Sequence, residues 1–285
     1  MNLGILCSGN LGYKTLLVLH EKYPINFVFT DVNSKDIIEF CDNNKLSVFI
    51  GNPRGGKAKS FIDSNGCDLL ISINYLFLIE KDVINMGKKL TFNIHGSLLP
   101  KYRGRTPHVW SIINGEKQTG ITAHIVDEGC DTGDVLEQII IPIDQKDTGA
   151  IILKKYEENY LPLLEKVIYK FNNGTLQRTK QNSELATYFG KRVPEDGLID
   201  WNWQKERIYN WIRAQAHPYP GAYTAYEGKK LTIDRIMFSD YGFDCNLMNG
   251  TILKVNPLIV KTPNGAIELI TTRESIDLKI GDVLK

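Results

Sequence analysis

Along the first half of the chain, short β-branched and apolar runs alternate with longer stretches whose apolar positions recur every three or four residues. Leu3–Cys7, Phe27–Asp31, Ser47–Ile50, Leu69–Ile73 and Leu90–Ile94 read as buried strands, and Leu11–Glu21 reads as the helix that follows the first of them. Such alternation predicts a parallel sheet with helices on both faces. Thr106–Ile113 reads as a helix with Pro107 in its first turn, and Ile121–Val126 with Val135–Ile141 as a pair of neighbouring strands. Ile152–Phe171 has the leucine spacing of a long amphipathic helix, closed by Gly174.

From Thr175 to Asp200 the periodicity disappears and the segment reads as a linker. Lys205–Ala216 looks helical. After Pro218-Tyr219-Pro220-Gly221 come the short strands Lys230–Ile236, Gly250–Val255, Leu258–Thr262 and Ala266–Ile270, punctuated by Asn249-Gly250 and Asn264-Gly265. The expected architecture is therefore α/β: a parallel-sheet domain over residues 1–199, linker included, and a small, mainly β domain over 200–285, a small barrel or an open antiparallel sheet.

Composition narrows the function classes. The 285 residues carry 34 Lys+Arg against 33 Asp+Glu, a formal charge of +1, which argues against a dedicated nucleic-acid coat. No apolar run approaches the about 18 residues a membrane span needs, and the start of the chain lacks a signal peptide's charged region, so a cytoplasmic protein is expected. Five scattered cysteines without a C-x-x-C pair fit neither a disulfide framework nor a zinc knuckle.

Two glycine-rich stretches invite a nucleotide reading and do not sustain it. Ser8-Gly9-Asn10-Leu11-Gly12 follows the first strand but is not G-x-G-x-x-G, although the turn can face a substrate phosphate. Gly51-Asn52-Pro53-Arg54-Gly55-Gly56-Lys57-Ala58 is one residue short of a P-loop and has Ala58 where a magnesium-binding hydroxyl belongs.

The informative segment runs from Phe92 to Trp110. Asn93 and His95 lie two apart at the end of a predicted strand, so both point to one face at the carboxyl edge of the sheet, the usual ligand crevice of an open α/β fold. The loop that follows carries Lys101, Arg103 and Arg105 with Gly104 between the arginines, a grouping suited to a pyrophosphate. Downstream, Asp127-Glu128-Gly129-Cys130-Asp131-Thr132-Gly133-Asp134 is an acidic turn between two strands. One of its carboxylates beside the Asn–His pair would orient the imidazole and raise its basicity. No metal-ligand spacing is present, so metal-free chemistry is expected.

Asn93-x-His95 followed by Ser97-Leu98-Leu99-Pro100, Tyr102-Arg103-Gly104, Asn114-Gly115-Glu116, Thr119-Gly120 and Asp127-x-Gly129-x-Asp131-x-Gly133 resembles the formyltransferases that use N10-formyltetrahydrofolate. The resemblance continues through Asp196-Gly197-x-Ile199-Asp200-Trp201, Ile212-Arg213-Ala214 and Pro218-Tyr219-Pro220-Gly221-Ala222. It implies a Rossmann-like first domain and an OB-like second one, and that Asn93, His95 and Asp131 are the catalytic amide, imidazole and carboxylate. It also places the folate against Tyr75, Leu76, Phe77, Leu78 and Ile79 and against Asp127 and Gly129 of the acidic turn.

Lys101 to Trp110, with Ser72-Ile73-Asn74-Tyr75, is most similar to the sugar N-formyltransferases. The expected acceptor is the primary amine of a nucleoside-diphosphate amino sugar, such as dTDP-4-amino-4,6-dideoxyglucose or a similar 3- or 4-amino-dideoxyhexose used in O-antigen or other surface glycans. Lys101, Tyr102, Arg103, Arg105 and Trp110 are the expected sugar-nucleotide contacts. The near-neutral charge disfavours the family's alternative, methionyl-tRNA formyltransferase. The expected partners are thus folate and a sugar nucleotide, with no nucleic acid and no membrane, in a homodimer. In this scheme Asn93 donates to a developing oxyanion, His95 takes the ammonium proton or shares in oxyanion stabilisation, and Asp131 fixes the imidazole tautomer.

Overall fold

A computed structural model describes all 285 residues, which fall into two compact units that are not continuous in sequence. The first comprises Met1–Gly104, Gly120–Ile141 and Tyr156–Tyr188; the second comprises Arg105–Thr119, Pro142–Lys155 and Phe189–Lys285. The division expected at residues 199 and 200 therefore falls inside the second unit.

In chain order the first half contains β1 (Leu3–Cys7), α1 (Gly9–Lys22), β2 (Ile25–Thr30), α2 (Lys35–Asn43), β3 (Ser47–Ile50), α3 (Lys59–Ser64), β4 (Cys67–Ile73), α4 (Lys81–Ile84) and β5 (Gly87–His95). There follow β6 (Arg103–Gly104), α5 (Pro107–Ile113), β7 (Gln118–Ile125), β8 (Val135–Pro142), α6 (Gly149–Asn172) and β9 (Tyr188–Phe189). The seven-stranded sheet has the order β3-β2-β1-β4-β5-β7-β8. β3, β2, β1, β4 and β5 pair in parallel, as the alternation predicts, whereas β5 and β7 are antiparallel.

Burial explains the order. All five residues of β1 are buried, as are the last five of β4, so both must lie inside the sheet with both faces covered. Beneath them Phe27, Phe29, Leu70, Val83 and Met86 form a core on which Phe49, Phe61, Tyr75 and Ile79 pack. The Phe29 and Phe61 rings meet edge to face at 5.1 Å. Ser47–Ile50, by contrast, has exposed ends and forms the sheet edge.

In the second unit α7 (Lys205–Ala214) is followed by β10 (Ala222–Tyr226), β11 (Lys229–Ser239), β12 (Ile252–Lys254), β13 (Ile259–Thr262) and β14 (Gly265–Thr272). These strands make an antiparallel half-barrel in the order β10-β11-β14-β13-β12. The sequence pattern misses β10, the five residues directly after Gly221. Arg273 explains the Pro-Tyr-Pro-Gly turn before it. Its guanidinium grips Asp234 through both carboxylate oxygens, each at 2.8 Å, and donates to the carbonyls of Tyr219 and Pro220 at 2.9 and 3.0 Å.

Candidate active site

Asn93 and His95 occupy the carboxyl end of β5, and their alternation puts both side chains on one face. The antiparallel partner β7 sets Asn93 directly opposite His124, and His95 opposite Thr122. Directly opposed side chains of an antiparallel pair lie on the same face and within contact distance. Accordingly, the Asn93 amide Nδ2 donates to His124 Nε2 at 3.2 Å.

The tautomer of His95 is readable from its partners. Nε2 lies 2.8 Å from the Tyr102 carbonyl, which can only accept, so Nε2 carries the hydrogen and Nδ1 presents its lone pair. That lone pair faces Asp131 Oδ1 at 3.6 Å. The structure thus corrects one expectation: the backbone carbonyl of Tyr102, rather than Asp131, fixes the tautomer. Asp131 stands beside the nitrogen left bare. Burial lowers the His95 pKa below its ordinary value, and the opposing pulls of the Asp131 charge and the Tyr102 carbonyl do not overcome it.

Asp131 is carried by the acidic turn in a left-handed conformation, with φ of 55°. Burial pushes its carboxyl upward and the Gly104 N–H, which donates to it, pulls it down; the net direction is below the usual carboxylate range. Gly104 donates to Oδ2 at 2.9 Å, and His124 Nε2 lies 3.6 Å from Oδ1. The turn's shape has a local cause. Asp127 Oδ1 accepts from the Gly129 N–H at 3.1 Å and the Thr132 hydroxyl at 2.6 Å, and a Cβ at Gly133 would come within 2.0 Å of the Ile125 carbonyl oxygen.

Two buried side chains escape a sequence reading. His124 sits in the middle of an apolar β7 run, where a histidine reads as core. Gln181 lies in the segment that reads as a linker, yet it is buried. Its Nε2 donates to the Asp131 and Gly133 carbonyls at 2.9 and 2.7 Å, and its Oε1 accepts from Arg103 at 3.2 and 2.7 Å. Cross-strand register reveals the first residue, and only long-range contact the second.

The expected sugar-nucleotide residues separate. Arg103 is 2% exposed, with its guanidinium on Gln181, on the Tyr188 hydroxyl and over the Tyr188 ring. Tyr102 is likewise buried, with φ of 60°, and it is the backbone carbonyl that it turns to His95. Both therefore brace the site, in place of the solvent-facing clamp their spacing implies. Lys101 is exposed. Arg105 and Trp110 belong to the second unit, where Arg105 is exposed and Trp110 stands between Phe189 and the Arg192 guanidinium, each at 4.9 Å.

The residues expected to face folate leave β4 directly beside the end of β5, where Ile73 pairs with Ile94. Tyr75 and Ile79 pack on the core and Phe77 meets Tyr75 edge to face, while Leu76 and Leu78 turn outward, 44% and 59% exposed. The Tyr75 hydroxyl is buried with no hydrogen-bond partner. An exposed apolar pair on the segment that leaves β4 suits a flat heteroaromatic molecule.

A family model described as formyl transferase matches residues 53–168, and one described as formyl transferase, C-terminal domain, matches residues 191–278. The chain is 34% identical over 275 residues to the bifunctional polymyxin resistance protein ArnA of Wigglesworthia glossinidia brevipalpis, covering 95% of this chain and 41% of that protein. It thus spans about two-fifths of that curated relative's length.

Among solved structures, the chain is similar to WlaRD, a sugar 3N-formyl transferase in the presence of dTDP and 5-N-formyl-THF. The TM-score is 0.70 at 20% identity, over 97% of this chain and 99% of that one. It is also similar to the N-formyltransferase from Helicobacter canadensis with folinic acid and dTDP-3-aminofucose, with a TM-score of 0.69 at 22% identity over 94% and 98% of the two chains. A 4-N formyltransferase from Francisella tularensis gives 0.68 at 23% identity over 80% and 94%. At these identities the structural likeness speaks to the fold.

Proposed function

The chain belongs to the formyl transferase family, whose two domain models together match more than half of it, and from that premise we propose that it moves a formyl group from N10-formyltetrahydrofolate to the primary amine of a nucleoside-diphosphate amino sugar. The observation that carries this reading is the His95 ring: Nε2 is committed to the Tyr102 carbonyl, and the bare Nδ1 faces an ionised Asp131 beside the Asn93 amide.

The folate donor supplies an electrophilic formyl carbon, and Leu76 and Leu78 offer an apolar surface to its ring system. The remaining steps fall to the chain. Asn93 Nδ2 donates to the formyl oxygen as negative charge develops there, a contribution typically about 2.7–4 kcal/mol for one such donor. As the new C–N bond forms, the proton shed by the amine goes to His95 Nδ1. Asp131, 3.6 Å from that nitrogen, stabilises the imidazolium. The same proton returns to the departing folate nitrogen as the old C–N bond breaks.

The acceptor reading rests on the similarity of Lys101–Trp110 to sugar enzymes and on the near-neutral charge. It extends to a 3- or 4-amino-dideoxyhexose on dTDP destined for a surface glycan, made by a cytoplasmic homodimer. The test is a panel of nucleotide-linked 3-amino and 4-amino sugars, each incubated with N10-formyltetrahydrofolate and read by mass. A gain of one formyl group on a member of the panel is the expected result. Turnover of charged initiator tRNA with no turnover of any sugar would overturn the acceptor assignment.

A further inference from the structure

Asn93 is useful as an oxyanion donor only if Nδ2, and not Oδ1, is turned to the substrate. An amide side chain can present either end, and the two ends have nearly the same shape. Something must therefore choose between them, and β5 itself offers no such partner.

His124 meets that need. Its Nδ1 lies 2.8 Å from the Ile125 carbonyl, which can only accept, so Nδ1 carries the hydrogen. Its Nε2 is then a lone pair, and the nearest polar atom to it is Asn93 Nδ2 at 3.2 Å, ahead of Asp131 Oδ1 at 3.6 Å. A lone pair at Nε2 accepts from an amide N–H and repels an amide oxygen. One hydrogen of Nδ2 is thereby held on His124, and the other is left to donate. The ring has little freedom to choose otherwise, since His124 is 3% exposed, and the β5–β7 register places it directly opposite Asn93.

We propose that His124 is a positioning residue: its Nδ1-protonated tautomer fixes the orientation of the Asn93 amide and so makes Asn93 an N–H donor to the reacting oxygen. The inference rests on Asn93 having that role in the proposed reaction. It gives a reason for a histidine at an otherwise apolar strand position, where packing alone favours an aliphatic residue.

The experiment pairs kinetics with a measurement that needs no turnover. In ring-15N-labelled full-length protein without ligands, His124 should show a protonated Nδ1 and a bare Nε2 at neutral pH. A protonated Nε2, which would donate to Asp131 and turn the amide around, would overturn the proposal. In formyl transfer, H124L should lower kcat by about 10- to 100-fold with both KM values within about twofold of wild type. His124→Gln, whose carbonyl oxygen can still accept, should recover part of that loss. The double variant N93A/H124L should be no slower than N93A alone, because His124 acts through Asn93. Additive losses, or an unchanged kcat in H124L, would overturn the proposal. If H124L does not fold, the 15N spectrum and the His124→Gln kinetics decide. If wild type formylates no amine at all, the proposed reaction falls, while the ring spectrum still tests the pairing.

Discussion

His95 Nδ1 and Asp131 Oδ1 face each other across 3.6 Å, where a bare ring nitrogen has nothing to donate and a protonated ring makes an ion pair. The other ring nitrogen is committed at 2.8 Å to the Tyr102 carbonyl. The pair is therefore arranged for the state in which His95 has gained a proton, with little gain in the resting state. Several measurable consequences come from this asymmetry and from the residues that maintain it.

Burial lowers the His95 pKa below 6.5, so the base is unprotonated at neutral pH. The acid limb of the kcat/KM profile should lie below pH 6.5. The Asp131 charge pulls that pKa upward, so Asp131→Asn should move the limb to still lower pH while reducing the plateau by roughly 100-fold or more. A limb that moves upward in the variant would contradict the assignment of His95 as the base.

Loss of the amide donor should appear in kcat. Asn93→Ala is expected to reduce kcat by about 100- to 1000-fold with little change in either KM, since the interaction forms only as charge develops. Steady-state kinetics with both substrates varied checks this.

Gln181 holds the Asp131 and Gly133 carbonyls and the buried Arg103 guanidinium. Gln181→Leu leaves the two carbonyls without this donor and removes one of the two partners of Arg103, and should cost on the order of 3 kcal/mol of stability. Chemical denaturation measures that loss. A drop in kcat should accompany it, because the left-handed turn that carries Asp131 loses its brace.

The two arginines of the loop should behave differently. Arg103 is 2% exposed and bonded to Gln181 and Tyr188, so Arg103→Ala should lower Tm and impair turnover of every substrate alike. Arg105 is exposed, and Arg105→Ala should raise KM for the sugar nucleotide severalfold while lowering Tm less than Arg103→Ala does. Thermal scans alongside the kinetics separate the two outcomes.

His108 sits in α5 with its Nε2 2.9 Å from the Tyr219 hydroxyl, and burial lowers its pKa to about 4. Its unfolded value is near 6.5, so between those limits the unfolded chain binds the proton and the folded one does not. Stability should therefore fall as pH drops from 6.5 towards 4, by on the order of 3 kcal/mol from this group. His108→Gln should flatten that part of the curve in urea unfolding followed across the pH range.

Much of the molecule is legible in its sequence because strand and helix periodicities are local. The alternation of apolar runs yields the parallel sheet. The two-residue spacing of Asn93 and His95 at a strand end yields a shared face at the crevice, and the Asp-Gly turn reads as the carrier of a carboxylate. What the tertiary structure alone decided is who stands opposite and which hydrogen goes where. The β5–β7 register brings His124 to Asn93, the pairing of β6 with β9 accompanies an Arg103 turned inward, and an aperiodic segment supplies Gln181 to the turn. The His95 tautomer, too, is set by a backbone carbonyl seven residues on, in a loop whose path no periodicity encodes. Side-chain direction repeats along the chain and can be counted there, whereas register and proton placement depend on partners that only the folded chain brings into contact.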